Sequence, residues 1–326
     1  MDRMQAGLGN LLVLLLLAAA IVPLQCVAQA WPQKQVRIVI PFEAGGGTDI
    51  QGRLLAKKLH DNTGFVSVVE NRPGASGLIG AEAVVRSPAD GHILLFTSGS
   101  LAVNVSLYKK LAFDPVKDLA AVSKISSSSM VLLVHPSVPV TSIKELVTYA
   151  KANPRKLNVG SAGIGTGTHL AIELFKLMAG VDMTHVPYKG SSRALTSILS
   201  GETNLFFATF VSGRPLADSG KVRPIGVTSA RKAAAFPDVP TIDSVIPGYE
   251  SESWYGMFAP AATPRDTIGR IHAEMFKALN SPELRDFMVK EGGEAAGSTP
   301  DETTAYFRLE VERYARVVKS ANLQVE

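Results

Sequence analysis

The stretch VIPFEAGGGTDIQGRLLAKKL, residues 39–59, reads as a buried strand, a glycine loop and an amphipathic helix in immediate succession. Val36, Ile38, Val39 and Ile40 form a short apolar run suited to the strand. Gly45, Gly46 and Gly47 free the backbone, and Thr48 or Asp49 is placed to cap the helix. The N–H groups at such a helix start lack partners within the helix and carry a partial positive charge, so the turn can seat a carboxylate or a phosphate. A plain strand-to-helix connection in a parallel α/β sheet would carry much the same sequence, so this segment alone leaves both readings open.

Working outward, the pattern repeats. FVSVVENR (65–72) predicts a second strand, PGASG a turn, residues 78–86 a helix, and the SPADG turn (87–91) leads into the strand HILLFTS. This is a βαβαβ series, hence a parallel sheet with helices on its faces. SLAVNVSLYKKLAFDP is irregular or briefly helical, and residues 119–125 and 130–135 are apolar runs suited to two strands. His135-Pro136-Ser137-Val138-Pro139 is a stiff connector, because each proline fixes its own φ and biases its predecessor toward extended backbone. A second α/β series follows, opened by a helix with Ser142 and Glu145 in capping-box spacing. It continues through LNVGSAG, a helix over 168–179, MTHVPYKG, a helix over 191–200, and strands at 204–208 and 223–228. Residues 250–260 predict a strand returning to the first series. Three closing helices start at Thr263-Pro264, Ser281-Pro282 and Thr299-Pro300, each a cap residue followed by proline. Three helices and one strand do not make a third domain, so they are expected to pack on the first. The reading is two α/β domains: residues 31–131 plus 254–326 as domain 1 and residues 132–253 as an inserted domain 2. Two hinge crossings join them, with a ligand cleft between.

Residues 1–30 read as a cleaved signal peptide. Arg3 precedes the apolar run LLVLLLLAAAIVPL, and Ala28-Gln29-Ala30 offers a small-residue cleavage site before Trp31. A retained anchor is the alternative, although the apolar run is shorter than the roughly 20 residues that span a bilayer. Gln25 before Cys26 argues against lipid attachment, so the only cysteine leaves with the leader. The mature chain then has no disulfide, thiol nucleophile or cysteine metal ligand, and an exported, secreted protein is expected. The balance of 33 basic against 29 acidic residues, with no Lys/Arg run, gives no footprint for nucleic acid.

A second glycine loop, GSAGIGTGTHL (160–170), again stands between strand and helix. Its Ser161, Ala162, Gly163, Thr166 and Thr168 offer backbone and hydroxyl donors beside a helix start, with Thr168 as an N-cap in the bland reading. His169 in the first helical turn is either a structural hydrogen-bonder or part of a cleft wall. Tyr188, before Lys189-Gly190-Ser191-Ser192, can line a cleft, and Ser191 or Ser192 can cap the next helix. Thr97 and Ser98 sit at the carboxyl end of a strand, as do Thr209 and Phe210, though Phe206, Phe207 and Phe210 also suit a core. Catalysis finds little support. The six histidines show no metal-ligand spacing, Val159 stands where a G-x-S-x-G elbow around Ser161 would need glycine, and no Walker pattern exists, so neither metal nor cofactor is expected.

Several ordered motifs together carry a resemblance over nearly the whole mature chain: PFEAGGGTD, ENRPGASGLIGAEAV, ADGHILLFTS, SLYKKLAFDP, GSAGIGTGTHL, HVPYKG and SESWYGMFAP. The chain resembles the Bug family, periplasmic solute-binding receptors of tripartite tricarboxylate transporters. The resemblance implies a bilobed type II periplasmic-binding-protein fold that closes around a small organic acid. The ligand would be a di- or tricarboxylate, an aromatic acid or an amino acid. It further implies a monomer that delivers the ligand to a permease of one large and one small membrane subunit. Carried onto this sequence, it points to Phe42, Gly45, Gly46, Gly47, Thr48, Asp49 and Ser98, and across the cleft to Ser161, Gly163, Thr166 and His169. Glu43 departs from the family's small or apolar residue, and its carboxylate is expected to point outward. Thr209-Phe210 departs too, which would make the far end of the pocket more apolar. A secreted α/β hydrolase and a sensory receptor for the same ligands are the alternatives.

Overall fold

The computed structural model describes residues 31–290 and 296–320; the expected signal peptide, residues 1–30, lies outside them. β1 (Val36–Ile40), β2 (Ser67–Asn71) and β3 (Ile93–Ser98) form the parallel part of the first sheet, with β1 central. Their crossovers are α1 (Gly47–Thr63) and α2 (Leu78–Val85). Alternation along the strands sorts their side chains onto two faces. Ile38, Ile40, Leu94 and Phe96 pack with Leu55 and Leu59 of α1, while Val39 and Leu95 pack with Ala81 and Val84 of α2.

The SLAVNVSL segment is helical, α3 (Ser100–Leu107). Beyond it the two expected strands are one, β4 (Leu119–Val134). The polar run Ser126 to Ser129 separates the two apolar runs in sequence, yet it pairs antiparallel with the start of β9 (Glu252–Pro260), so its backbone groups stay satisfied without apolar side chains. The last part of β4, from Met130, leaves β9 and pairs with β7 (Leu205–Thr209) on one side and β8 (Arg223–Val227) on the other. β5 (Asn158–Ser161) and β6 (Thr184–Pro187) complete this second sheet in parallel with β7.

The helices of the second series are α4 (Ile143–Ala152), α5 (Gly167–Ala179), α6 (Ser191–Ser200) and α7 (Phe210–Asp218). Met130, Leu132 and Val134 pack against Ile143, Leu146, Ile172 and Phe175. Val131 and Leu133 face the opposite way onto Leu195, Ile198 and Phe210. The closing helices α8 (Arg265–Leu279), α9 (Pro282–Lys290) and α10 (Pro300–Ser320) return to the first sheet. Ile271, Met275 and Leu284 join one of its faces, Phe307 and Tyr314 the other.

Capping differs in detail from expectation. Ser142 accepts the Glu145 N–H at α4, and Thr299 and Glu302 make a reciprocal box at α10. At α8 the N-cap is Pro264 itself, one residue beyond Thr263. Two chain crossings join the lobes, at Ser129-Met130 within β4 and ahead of β9. Thr228 ties them together: its Oγ1 accepts the Met130 N–H at 2.8 Å, its N–H donates to Met130 O at 2.8 Å, and its carbonyl accepts the Ser251 N–H at 3.1 Å.

Candidate functional site

β1, β3, β5 and β7 end at one place between the lobes, where an open α/β sheet binds its ligands. The turns beyond β1, β5 and β7, together with the turn beyond β6, set four helix N-termini around a single cavity. Gly46, Gly47 and Thr48 bring α1, Thr166, Gly167 and Thr168 bring α5, Ser191 brings α6 and Thr209 brings α7. Phe42, Glu43, Asp49, Ser98, Ala162, Ser253 and Tyr255 complete the wall. Among the described residues, the lining contains no lysine, arginine or histidine. What positive charge it can offer an anion comes from first-turn N–H groups and helix dipoles, which can hold an anion without a counter-charge.

The first loop is built to present those groups. Asp49 does not cap α1, nor does Thr48; the N-cap is Gly46, which offers no side chain. Asp49 instead staples the loop. One of its oxygens accepts from the Gly45 N–H and Arg53 Nε, each at 2.9 Å, and the other from Asn71 Nδ2 at 2.9 Å. Asn71 also donates to Phe42 O at 3.0 Å. Burial alone would raise the Asp49 carboxyl, but the bonds from Arg53, Gly45 and Asn71 outweigh it and hold the group below the usual carboxylate range. Its charge is therefore spent inside lobe 1.

The second loop is organised in the same way. Thr166, not Thr168, occupies the N-cap of α5; its hydroxyl donates to Gly163 O at 2.7 Å and meets Thr168 Oγ1 at 2.9 Å. Thr168 Oγ1 accepts the Ala162 N–H at 2.9 Å. Ser161 and His169 sit behind the loop rather than on the cavity wall. His169 Nδ1 accepts the Gly165 N–H at 3.0 Å, Ser161 Oγ lies 2.6 Å from His185 Nε2, and the two imidazoles stack with centroids 4.0 Å apart. Burial holds His169 down to about 3 and His185 down to about 4, with mutual repulsion adding to the first and Lys176 to both. Both rings are neutral at neutral pH, so the pair is scaffold for the loop.

The remaining expected residues lie elsewhere. Gly45 gives its N–H to Asp49, Thr97 is buried in β3 opposite Gly256, and Phe210 packs edge-on to Phe236 in the core. Gly163 and Tyr188 line a neighbouring space of about 200 Å³ beyond Phe42 and Ala162, where the Tyr188 hydroxyl donates to Glu202 at 2.8 Å. Ser191 and Ser192 do not cap α6; Gly190 holds that position. Gly167 and Thr168 of the second glycine loop, whose donors were expected at a ligand, line the wall, and Ser191, Ser253 and Tyr255 join it beyond the expected ligand residues. For Ser253 and Tyr255 the available signal was their i, i+2 spacing on the returning strand, which puts both on one face.

Glu43 lines the cavity but turns its carboxylate to Arg193 of the opposite lobe, with Nε 2.9 and 2.7 Å from the two oxygens. It is neither free in solvent nor aimed into the seat. The lobes touch closely elsewhere too. A Cβ on Gly47 would stand 2.7 Å from Thr209 Oγ1, and one on Gly167 would stand 2.2 Å from Ser253 Oγ. The cavity they enclose is about 30 Å³, room for about one or two water molecules. A dicarboxylate is larger than that space.

Two α/β lobes, a paired crossing and a basic-free cavity ringed by helix N-termini define a two-lobed solute-binding protein of the periplasmic-binding-protein fold. Residues 52–323 match the tripartite tricarboxylate transporter family receptor. The chain belongs to that family, which includes the Bug proteins. It is 30% identical over 329 residues to BugT of Bordetella pertussis (strain Tohama I), covering 100% of this chain and 99% of that protein. Its structure is similar to Rpa4515 of R. palustris with adipate, at TM-score 0.86 and 35% identity over 90% of this chain and 99% of that one. It is also similar to MatC from Rhodopseudomonas palustris with bound malate, at TM-score 0.83 and 28% identity over 88% and 100% of the two chains.

Proposed function

We propose that the protein is a periplasmic receptor, exported through a cleaved signal peptide. It captures one small carboxylate-bearing metabolite by hinge closure and delivers it to a permease of one large and one small membrane subunit. The observation that carries this reading is the convergence of four helix N-termini, two from loops rich in glycine, on a cavity without a basic side chain. The two bodies are those expected from the sequence with each boundary moved two residues earlier, residues 31–129 with 252 onward and residues 130–251, turning about the crossings tied by Thr228. Backbone donors suit a carrier: they recognise a carboxylate through charge-assisted hydrogen bonds and leave no salt bridge to break on release.

The mechanism is binding, without bond-making. The anion settles first on the first turn of α1 in the open cleft. Closure then adds the starts of α5, α6 and α7, so the closed state binds more tightly and the ligand shifts the population toward it. Carboxylates of the kind seen in relatives, malate and adipate, are the first to test, along with aromatic acids and amino acids. The protein works as a monomer and needs neither cofactor nor nucleic acid.

Native mass spectrometry of the purified protein, followed by a thermal-shift screen of those acids, tests the reading. One small carboxylate should bind one to one and raise stability by about 2.7 kcal/mol at a hundredfold excess over its Kd, and be recovered unchanged. Conversion of the bound compound into a product would overturn it.

A further inference from the structure

Glu43 follows β1 in lobe 1, and Arg193 lies in the first turn of α6 in lobe 2. Arg193 Nε reaches both Glu43 oxygens, at 2.9 and 2.7 Å. The Glu43 side chain is 20% exposed and that of Arg193 66%, so a guanidinium at the rim covers a sheltered carboxylate. The backbones meet as well: a Cβ on Gly190, the N-cap of α6, would stand 3.2 Å from the Glu43 nitrogen. The contact therefore belongs to the closed loops themselves and is lost as they separate.

Asp49, the other carboxylate on the cavity wall, behaves differently. Its counter-charge, Arg53, is one turn along the same helix and stays with it whether the lobes are open or closed. Glu43, among the described residues, has its ion pair across the cleft. In an open cleft Glu43 is an exposed negative charge beside the anion seat; in the closed one it is neutralised. Attraction to Arg193 and relief of repulsion with a bound anion then act in the same direction, toward closure.

We propose that Glu43 and Arg193 form an interlobe latch, which biases the ligand-free protein toward closure and slows escape of the bound anion. This rests on the hinge-closing reading above. With one partner largely exposed, the latch should shift the closed-to-open ratio about 1.5- to fivefold and weaken with salt.

The test uses the purified protein with Cys26 replaced by serine where the leader is retained, and stripped of small molecules by unfolding and refolding. Spin labels at Lys109 and Lys151 report the interlobe distance distribution. Glu43→Gln and Arg193→Gln should each lower the closed fraction by that factor, with little further loss when combined. The swap of Glu43→Arg with Arg193→Glu should restore it. Raising sodium chloride from about 0.05 to about 0.5 M should open the wild type and leave the double Gln variant unmoved. Unchanged distributions in the single variants, or a wild type wholly open without ligand, overturn the latch while leaving hinge closure standing. A wild type that shows one fixed distance under every condition, with and without the acid found by mass spectrometry, overturns both.

Discussion

At the scale of single residues, Gly47 and Thr209 decide how far the lobes can close. Any side chain on Gly47 meets Thr209 Oγ1 at 2.7 Å and Cγ2 at 3.2 Å, against 3.4 Å for its Cβ. Gly47→Ala should hold the cleft ajar and weaken carboxylate binding at least tenfold, about 1.4 kcal/mol, with the melting profile of the free protein nearly unchanged. Adding Thr209→Ala removes the two nearest atoms and should recover much of the affinity, as titration calorimetry would read. Equal affinity in Gly47→Ala and wild type would mean that the α1 start stays clear of lobe 2 in the bound state. Glu43 marks the limit of sequence reading at this scale. Its charge and its place beside the glycines are evident in the chain, but its partner lies 150 positions away and is set only by the packing of α6 against the opposite loop.

Among the elements, the loop between β5 and α5 carries the clearest pH signature. His169 and His185 are held neutral by burial, at about 3 and about 4, below the ordinary imidazole value of 6.5. The unfolded chain therefore takes up protons first as pH falls, and stability complete above about 6.5 drains away between there and about 4 for His185 and about 3 for His169. Between pH 6.5 and 5 the loss should be at most about 2 kcal/mol per histidine. Asp49 and Asp90, whose carboxyls lie below the usual range, lose their contribution only at lower pH. Denaturant unfolding at pH 7.5 and 5 measures the slope, and His169→Gln should remove about half of it. A wild type equally stable at both values would contradict the neutral stacked pair. Local signals exposed most of these elements: strand–glycine–helix order, the Ser142 capping box, the Thr299-Pro300 cap and the short apolar run of β1. The unity of β4 was hidden, because its serine tract is held in strand by β9, more than 120 residues downstream, and not by its own composition.

For the whole molecule, the chain order of the two α/β series, with a returning strand and closing helices, already implied a discontinuous first lobe. What local sequence could not supply was the meeting of distant turns: Ser191 and Ser253 reach the same cavity as Gly46 through tertiary packing alone. That meeting leaves a cavity of about 30 Å³, so capture as proposed requires motion: an anion enters an open cleft and closure completes its ring of N–H donors. The direct measurement is small-angle scattering of the protein titrated with the acid identified by mass spectrometry, beside the neutral amide of the same acid. The radius of gyration should fall to a plateau at one equivalent of the acid and stay constant with the amide. Compaction by both compounds alike, or saturation by the acid with no change in dimension, would contradict capture of a carboxylate by closure.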